Sequence, residues 1–441
     1  MKNTEYSLKK ISKNIFGQIS ILKNIFFAAM GNSLGALIGI LLLPLITRLY
    51  SPSVIGDLGV FVSALTIAAP ISTFMYQLAI PMAKSNQEAE KISFLALSIS
   101  IFVSLSIALI ICIWALFVGF LNFDEIEIYI YIFPIAVFLT GMHSVLMHWV
   151  IRMAKFYENA KVSIFQAAFV NLNKIVMGYF YPYSTGLILV HTFGIFSLCT
   201  HLYLIIKDSN IKVRFSEYFS KSILNKAREY KQIAIYRCPQ EVLFNFSQAI
   251  PIILLSFLFG AGFAGQFLIA RNILLLPSTL IGRAFGDVLF EKMSKSINSK
   301  VSIYELVIRP TLTLSIIGLI PLLIILIFGE ALFPFVFGEQ WSRAGEYSIF
   351  IAIFAYFNLM NKPSVSAINV LGLQKWLLKW EIANTLFKII ALIFAYYLFE
   401  NDISLVISIM IAGSISYSYL IFRVIIFSKR YNPTSSPLGG N

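Results

Sequence analysis

The chain of 441 residues holds 34 Lys and Arg against 21 Asp and Glu, a formal net charge of +13, yet only 12% of it is charged and 58% is hydrophobic. A mean hydropathy of +0.82 excludes an ordinary soluble domain, and charges that fall between long apolar runs exclude nucleic acid as the partner the net charge would suggest. The apolar runs last about 20 residues or more, enough to cross a bilayer core as helices, whereas barrel strands would alternate over about 10 residues. The expected fold class is all-α, a polytopic membrane protein.

In chain order, residues 1–25 lack the apolar core and small-residue cleavage site of a signal peptide. Ile11, Ile15, Ile19 and Leu22 recur at helical spacing against Lys9, Lys10 and Lys13, which fits either a helix on the membrane surface or an extension of the first span. About twelve spans follow, at 26–47, 59–82, 93–120, 128–150, 162–181, 186–206, 235–259, 264–289, 309–328, 346–369, 376–398 and 403–427. Gly31, Gly35 and Gly39 recur every four residues in the first and predict close helix packing. Mid-span Pro44, Pro70, Pro251, Pro277 and Pro321 predict bends. Cys112, Cys199 and Cys238 show no metal-ligand spacing and read as small core residues. His143, His148, His191 and His201 lie in the fourth and sixth spans without an HExxH context and read as hydrogen-bonded core histidines. No phosphate-binding GxxxxGK[ST] loop occurs, and no cofactor is expected.

The loop charges orient the chain. With residues at span ends counted in the connection they adjoin, the N-terminus, the even-numbered connections and the tail collect 26 Lys and Arg; the odd-numbered connections hold two, Arg48 and Arg343. Basic residues mark cytoplasmic loops, so both termini are expected in the cytoplasm. The basic linker 207–234 divides the chain into a lobe at 26–206 and a lobe at 235–428, followed by a tail at 429–441. A shift of about 210 residues lays LYSPSVIGDL (49–58) over LFGAGFAGQF (258–267), with Gly56 over Gly265 in register. Further along, Lys161, Leu172, Lys174 and Ile175 lie over Lys375, Leu386, Lys388 and Ile389. Six spans between equivalent elements predict two parallel pseudo-symmetric repeats around a central cavity.

Ionisable groups inside spans are expensive and face a bundle interior or a hydrated cavity. Their helical phase groups Ser63, Thr66, Pro70, Thr73 and Gln77 on the second span, and Ser163, Gln166, Asn173 and Lys174 on the fifth. Arg237, Glu241, Asn245 and Gln248 share a face of the seventh; Asn272, Thr279, Arg283 and Asp287, with Arg271 beside them, share a sector of the eighth. Glu381, Asn384, Thr385 and Lys388 do so on the eleventh. Lys174 and Lys388 stand at equivalent repeat positions near mid-membrane and predict a cationic wall for a large anion; the alternative is that each satisfies a local carbonyl or carboxylate, or snorkels outward. Arg237, Glu241, Arg283 and Asp287 share a cytoplasmic-side depth and read either as an inner gate closed by ion pairs or as static i,i+4 pairs. Arg48 is read as a cavity-mouth contact or as an anchor to outer-leaflet phosphates.

On the two six-span lobes, on RLYSPSVIGDLGVF (48–61) and on GAGFAGQFLIARNILLLPSTLIGRAFGDVLFEKMSK (260–295), the chain resembles the polysaccharide-transporter branch, O-antigen flippases included, of the superfamily that also holds multidrug extruders and the lipid II flippase. The resemblance implies a transporter of the bacterial cytoplasmic membrane and not an enzyme. It would flip an undecaprenyl-diphosphate-linked oligosaccharide to the outer leaflet, with the bilayer, a polysaccharide polymerase and chain-length proteins as its surroundings. It also implies an ion gradient as the energy source, for which Glu241, Asp287 and Glu381 are the candidate carboxylates. A multidrug extruder would favour carboxylates over Lys174 and Lys388 at its centre, and a polymerase or ligase would need a large outer loop where the longest here is about 17 residues, Gly329–Gly345.

Overall fold

The computed structural model describes residue 31 and residues 33–120, 128–207, 221–299 and 303–430. The surface helix expected at 1–25, residues 122–127 of an acidic connection, and the tail from 431 lie outside the described residues. Among the described residues every regular element is helical. The long helices are α1 (Ser33–Leu49), α2 (Pro52–Thr73), α3 (Asn86–Phe120), α4 (Phe133–Arg152), α5 (Phe156–Phe180) and α6 (Ser184–Lys207). A short linker helix α7 (Lys221–Glu229) follows, then α8 (Cys238–Phe259), α9 (Ala261–Ser299), α10 (Ile303–Phe337), α11 (Ser342–Met360), α12 (Lys362–Val370), α13 (Gln374–Phe399) and α14 (Asp402–Arg430).

Each of the twelve expected spans overlaps one of these helices, and among the described residues nine are long and apolar enough to cross a membrane. The protein is an integral membrane protein. α1, α5 and α11 fall short by that measure for visible reasons: α1 has few described residues, α5 carries Gln166, Asn171, Asn173 and Lys174, and α11 opens with Arg343 and Glu346.

Three spans depart from the uniform helix expected. The second stops at Thr73, where Phe74 and Met75 take φ of 45° and 61°, and resumes as a 3-10 turn at Tyr76–Ala79. Left-handed backbone at two non-glycine residues costs about 1–3 kcal/mol each and persists only where packing enforces it. The tenth divides at Asn361 into α11 and α12, because Pro363 has no N–H to give the preceding turn and its ring crowds that turn's carbonyl. The seventh opens with a π-turn at Ile233–Arg237, which shifts the phase of Arg237 against the residues that follow. Cys199 and Cys238 are buried as expected, while Cys112 is exposed on α3.

The contacts divide the chain into two compact units: one contains the residues up to Ile46 with Ala64–Val242, the other Thr47–Ser63 with Leu243–Asn441. Helix α2 therefore begins in the second unit and ends in the first. The core of the first gathers Tyr76, Ile80, Ile92, Trp149 and Leu202 from the turn after α2, the start of α3 and the ends of α4 and α6. The core of the second gathers Met293, Val307, Ile368, Leu420 and Val424 from the end of α9, the start of α10, α12 and the end of α14. These are repeat-equivalent elements, so the sequence repeat reappears as two cores built the same way. In the first unit the α1 glycines face α5, and a Cβ on Gly31 would lie 2.5 Å from Ala160.

Candidate functional site

In the second unit, Glu381, Asn384 and Lys388 fall on one face of α13 because intervals of three and four residues return to the same side of a helix. That face is turned inward. Lys388 is 7% exposed and Asn384 5%, while Thr385, also buried, donates back to the Glu381 carbonyl at 2.8 Å. A Cβ on Gly413 of α14 would stand 3.7 Å from Cε of Lys388, so the stem of the lysine passes over a helix that has made room for it. Glu381 and Arg271 both act electrostatically on Lys388. Among the described residues, two cationic side chains and one carboxylate meet in this enclosed place, an excess of positive charge that a low-dielectric surrounding screens poorly.

Arg271 is held in position by α8: its two Nη atoms donate to the Gln248 carbonyl at 3.0 Å and to Gln248 Oε1 at 2.8 Å. Gln248 also hydrogen-bonds the Tyr417 hydroxyl. Asn358 donates to that hydroxyl at 3.3 Å and accepts from Ser278 Oγ at 2.6 Å. Five helices, α8, α9, α11, α13 and α14, thus converge on one polar network. Asn384 Oδ1 is buried beside it and has no hydrogen-bond partner among the described residues. A buried acceptor without a partner is uncommon, and calls for a donor from water or a ligand.

In the first unit Lys174 is half-buried on α5, close enough to His191 of α6 to interact electrostatically. Gln166 donates to the Gly194 carbonyl, with its Oε1 buried and without a partner among the described residues. Asn173 turns its amide back to Phe169 O at 2.8 Å, so one of its two donors is spent within the helix. Thr73 donates to Gln77 Oε1 at 2.6 Å across the break after α2. Each repeat-equivalent lysine therefore stands on the fifth span of its half and faces the sixth.

Of the two expected cytoplasmic-side pairs, only Arg237 and Glu241 have described side chains. Arg237 is exposed and donates to Gln240 Oε1 at 3.3 Å, and among the described residues no ion pair joins it to Glu241, as the π-turn displaces it from an i,i+4 alignment. Arg283 and Asp287 lie on α9 with side chains outside the described set. Asn245 is half-buried one turn before Gln248. Arg48 is exposed, while its neighbours are sealed: Gln340 and Trp341 donate to the Thr47 carbonyl at 2.6 and 2.9 Å, and Thr47 donates to Phe337 O at 3.2 Å.

Reading by residue type missed Tyr417, Asn358 and Ser278, uncharged groups outside the helical stripes read from the sequence. It also left Arg343 as a stray loop cation. The structure gives Arg343 a bidentate pair with Asp402 at 2.7 and 2.8 Å and a third bond to Glu346 at 2.6 Å, fastening the starts of α11 and α14.

Long apolar helices in two matching halves, with charges sealed on their inner faces, define a polytopic membrane protein of transporter fold. The chain is similar to an inward-facing multidrug resistance MATE family transporter of the MOP superfamily, with a TM-score of 0.67 at 13% identity over 92% of this chain and 96% of that one. It is similar to the lipid II flippase MurJ in an inward closed conformation, at 0.66 and 14% over 93% and 87%, and to the Vibrio cholerae MATE transporter VcmN, at 0.59 and 13% over 94% and 98%. No curated protein matches. Residues 45–346 match the family described as polysaccharide biosynthesis protein, and the chain belongs to that family.

Proposed function

We propose that this protein is a flippase that moves an undecaprenyl-diphosphate-linked oligosaccharide, an O-antigen unit or similar surface-polysaccharide repeat, from the cytoplasmic to the outer leaflet by alternating access. Its place is the bacterial cytoplasmic membrane with both termini inside, and its two lobes are residues 26–206 and 235–428. The observation that carries this reading is the positive excess around Lys388 and Arg271 in a member of a polysaccharide biosynthesis family. A diphosphate brings negative charge that a buried cationic site shelters, and amides such as Asn384 and Gln248 suit sugar hydroxyls. Lys174 supplies the equivalent charge in the other half.

The likeness to MATE transporters favours a second reading, a multidrug extruder. Its substrates are commonly cations, and a site centred on two cations repels them, so the flippase reading is preferred. Deletion of the gene in a cell that makes a defined glycan is expected to leave the lipid-linked unit on the inner leaflet. The Lys174→Ala, Lys388→Ala double variant should express normally and fail to restore translocation. Full restoration by the double variant rejects the cationic site.

A further inference from the structure

Three rings in the second unit form a continuous stack that the polar network does not explain. Phe354 lies 5.4 Å from Tyr417 at an interplanar angle of 27°, and Trp380 lies 6.2 Å from Tyr417 on a plane tilted by 24°. Tyr417 contacts both other rings, and its hydroxyl is held by Asn358 and Gln248. Trp380 ends the stack. It is half-buried, and its Nε1 has no hydrogen-bond partner among the described residues, in contrast to Trp149 and Trp341, whose Nε1 atoms donate to Ser93 and to the Thr47 carbonyl. The indole also packs against the core of the second unit, and the part of the ring left accessible comes with an unspent donor.

That combination suits one class of ligand. A pyranose ring presents a face of polarised C–H groups to an aromatic plane while its hydroxyls take hydrogen bonds at the rim. Organic cations and lipid chains would use the face and have no need of the donor. The position agrees: Trp380 precedes Lys388 by two turns of α13, about 12 Å along the axis, and Glu381, a hydroxyl acceptor, follows it directly. A diphosphate at Lys388 would carry its sugars along α13 toward Trp380.

We infer that Trp380, held by Tyr417 and Phe354, is a sugar-stacking platform that binds a pyranose ring of the lipid-linked substrate near its diphosphate. This rests on the flippase reading and adds the part of the site that reads sugar. The test uses full-length protein in nanodiscs and two probes, undecaprenyl diphosphate and undecaprenyl-diphosphoryl-N-acetylglucosamine. The wild-type protein should bind the sugar-bearing lipid about tenfold more tightly than the bare one. Trp380→Ala should erase that difference and leave binding of the bare lipid within about twofold, which also shows that the variant folds. Trp380→Phe should keep most of the difference, because the stacking face survives.

A sugar-dependent difference that persists in Trp380→Ala overturns the inference, as does its absence from the wild-type protein while both lipids bind. If Trp380→Ala abolishes binding of tetraphenylphosphonium and leaves the sugar preference intact, the platform belongs to a cation site and the inference falls. Failure of the wild-type protein to bind either lipid rejects the flippase reading itself.

Discussion

Lys388 sits where only 7% of the residue meets solvent, and among the described residues Glu381 is the carboxylate that acts on it. Burial of a charge costs several kcal/mol unless pairing is complete. If Lys388 serves the proposed cationic site, its charge contributes to transport and not to stability. Lys388→Met preserves the stem volume and removes the charge, so it should reduce translocation at least about tenfold while the midpoint of thermal unfolding holds or rises. Unimpaired translocation by this variant would assign the lysine a packing role. The α13 stripe was legible in the sequence because helical phase is a local property. The partners of Lys388 and the bidentate Arg343–Asp402 pair were not, because they join residues on different helices.

Between elements, the tightest approach at any described glycine is the crossing of α2 and α9. A Cβ on Gly56 would stand 1.7 Å from the Ala261 carbonyl oxygen, and one on Gly265 would stand 2.0 Å from that of Pro52. The two glycines that the repeat aligns therefore face each other, and only the absence of a side chain permits the contact. Gly56→Ala or Gly265→Ala should force the backbones apart and destabilise the protein by about 1–3 kcal/mol. The double variant should fall short of the sum because both changes disrupt one contact. Thermal unfolding in nanodiscs measures this, and a neutral Gly265→Ala would contradict the crossing.

The linker helix α7 is an element whose docking the charge count alone could not show. Lys226 bonds Glu88 at 2.6 Å and Glu229 at 2.6 Å, and the Tyr76 hydroxyl donates to Ala227 O at 3.1 Å. The hydrogen bonds from Glu229 and Glu88 raise the pKa of Lys226. A raised folded-state value means the stabilisation is fully present below the ordinary lysine range and is lost only as pH climbs through the raised one. Docking of α7 should therefore be insensitive to pH from about 6 to 9. Lys226→Met should loosen it, seen as faster amide exchange across α7; unchanged protection would show that apolar contacts suffice.

For the whole molecule, the proposed flippase reading requires an energy source for movement in one direction. Of the three candidate carboxylates, Glu381 adjoins the buried cations, Glu241 is half-buried on α8 without an ion pair among the described residues, and Asp287 lies on α9. If a proton gradient drives translocation, Glu381→Gln should abolish the response to collapsing that gradient, whereas neutralising Glu241 and Asp287 together should leave it. Translocation by the wild-type protein that ignores the gradient would exclude proton coupling through any of them.

The sequence by itself determined the helical membrane class, the succession of spans and the internal repeat, since these follow from apolar length and periodicity, which are written along the chain. The tertiary structure decided where α2 breaks and how it is shared between two units, which glycines meet, and how five helices bring Arg271, Gln248, Tyr417 and Lys388 together. Those outcomes depend on which helix faces lie against each other. That is a matter of packing and of satisfying buried polar groups, and no single stretch of residues contains it.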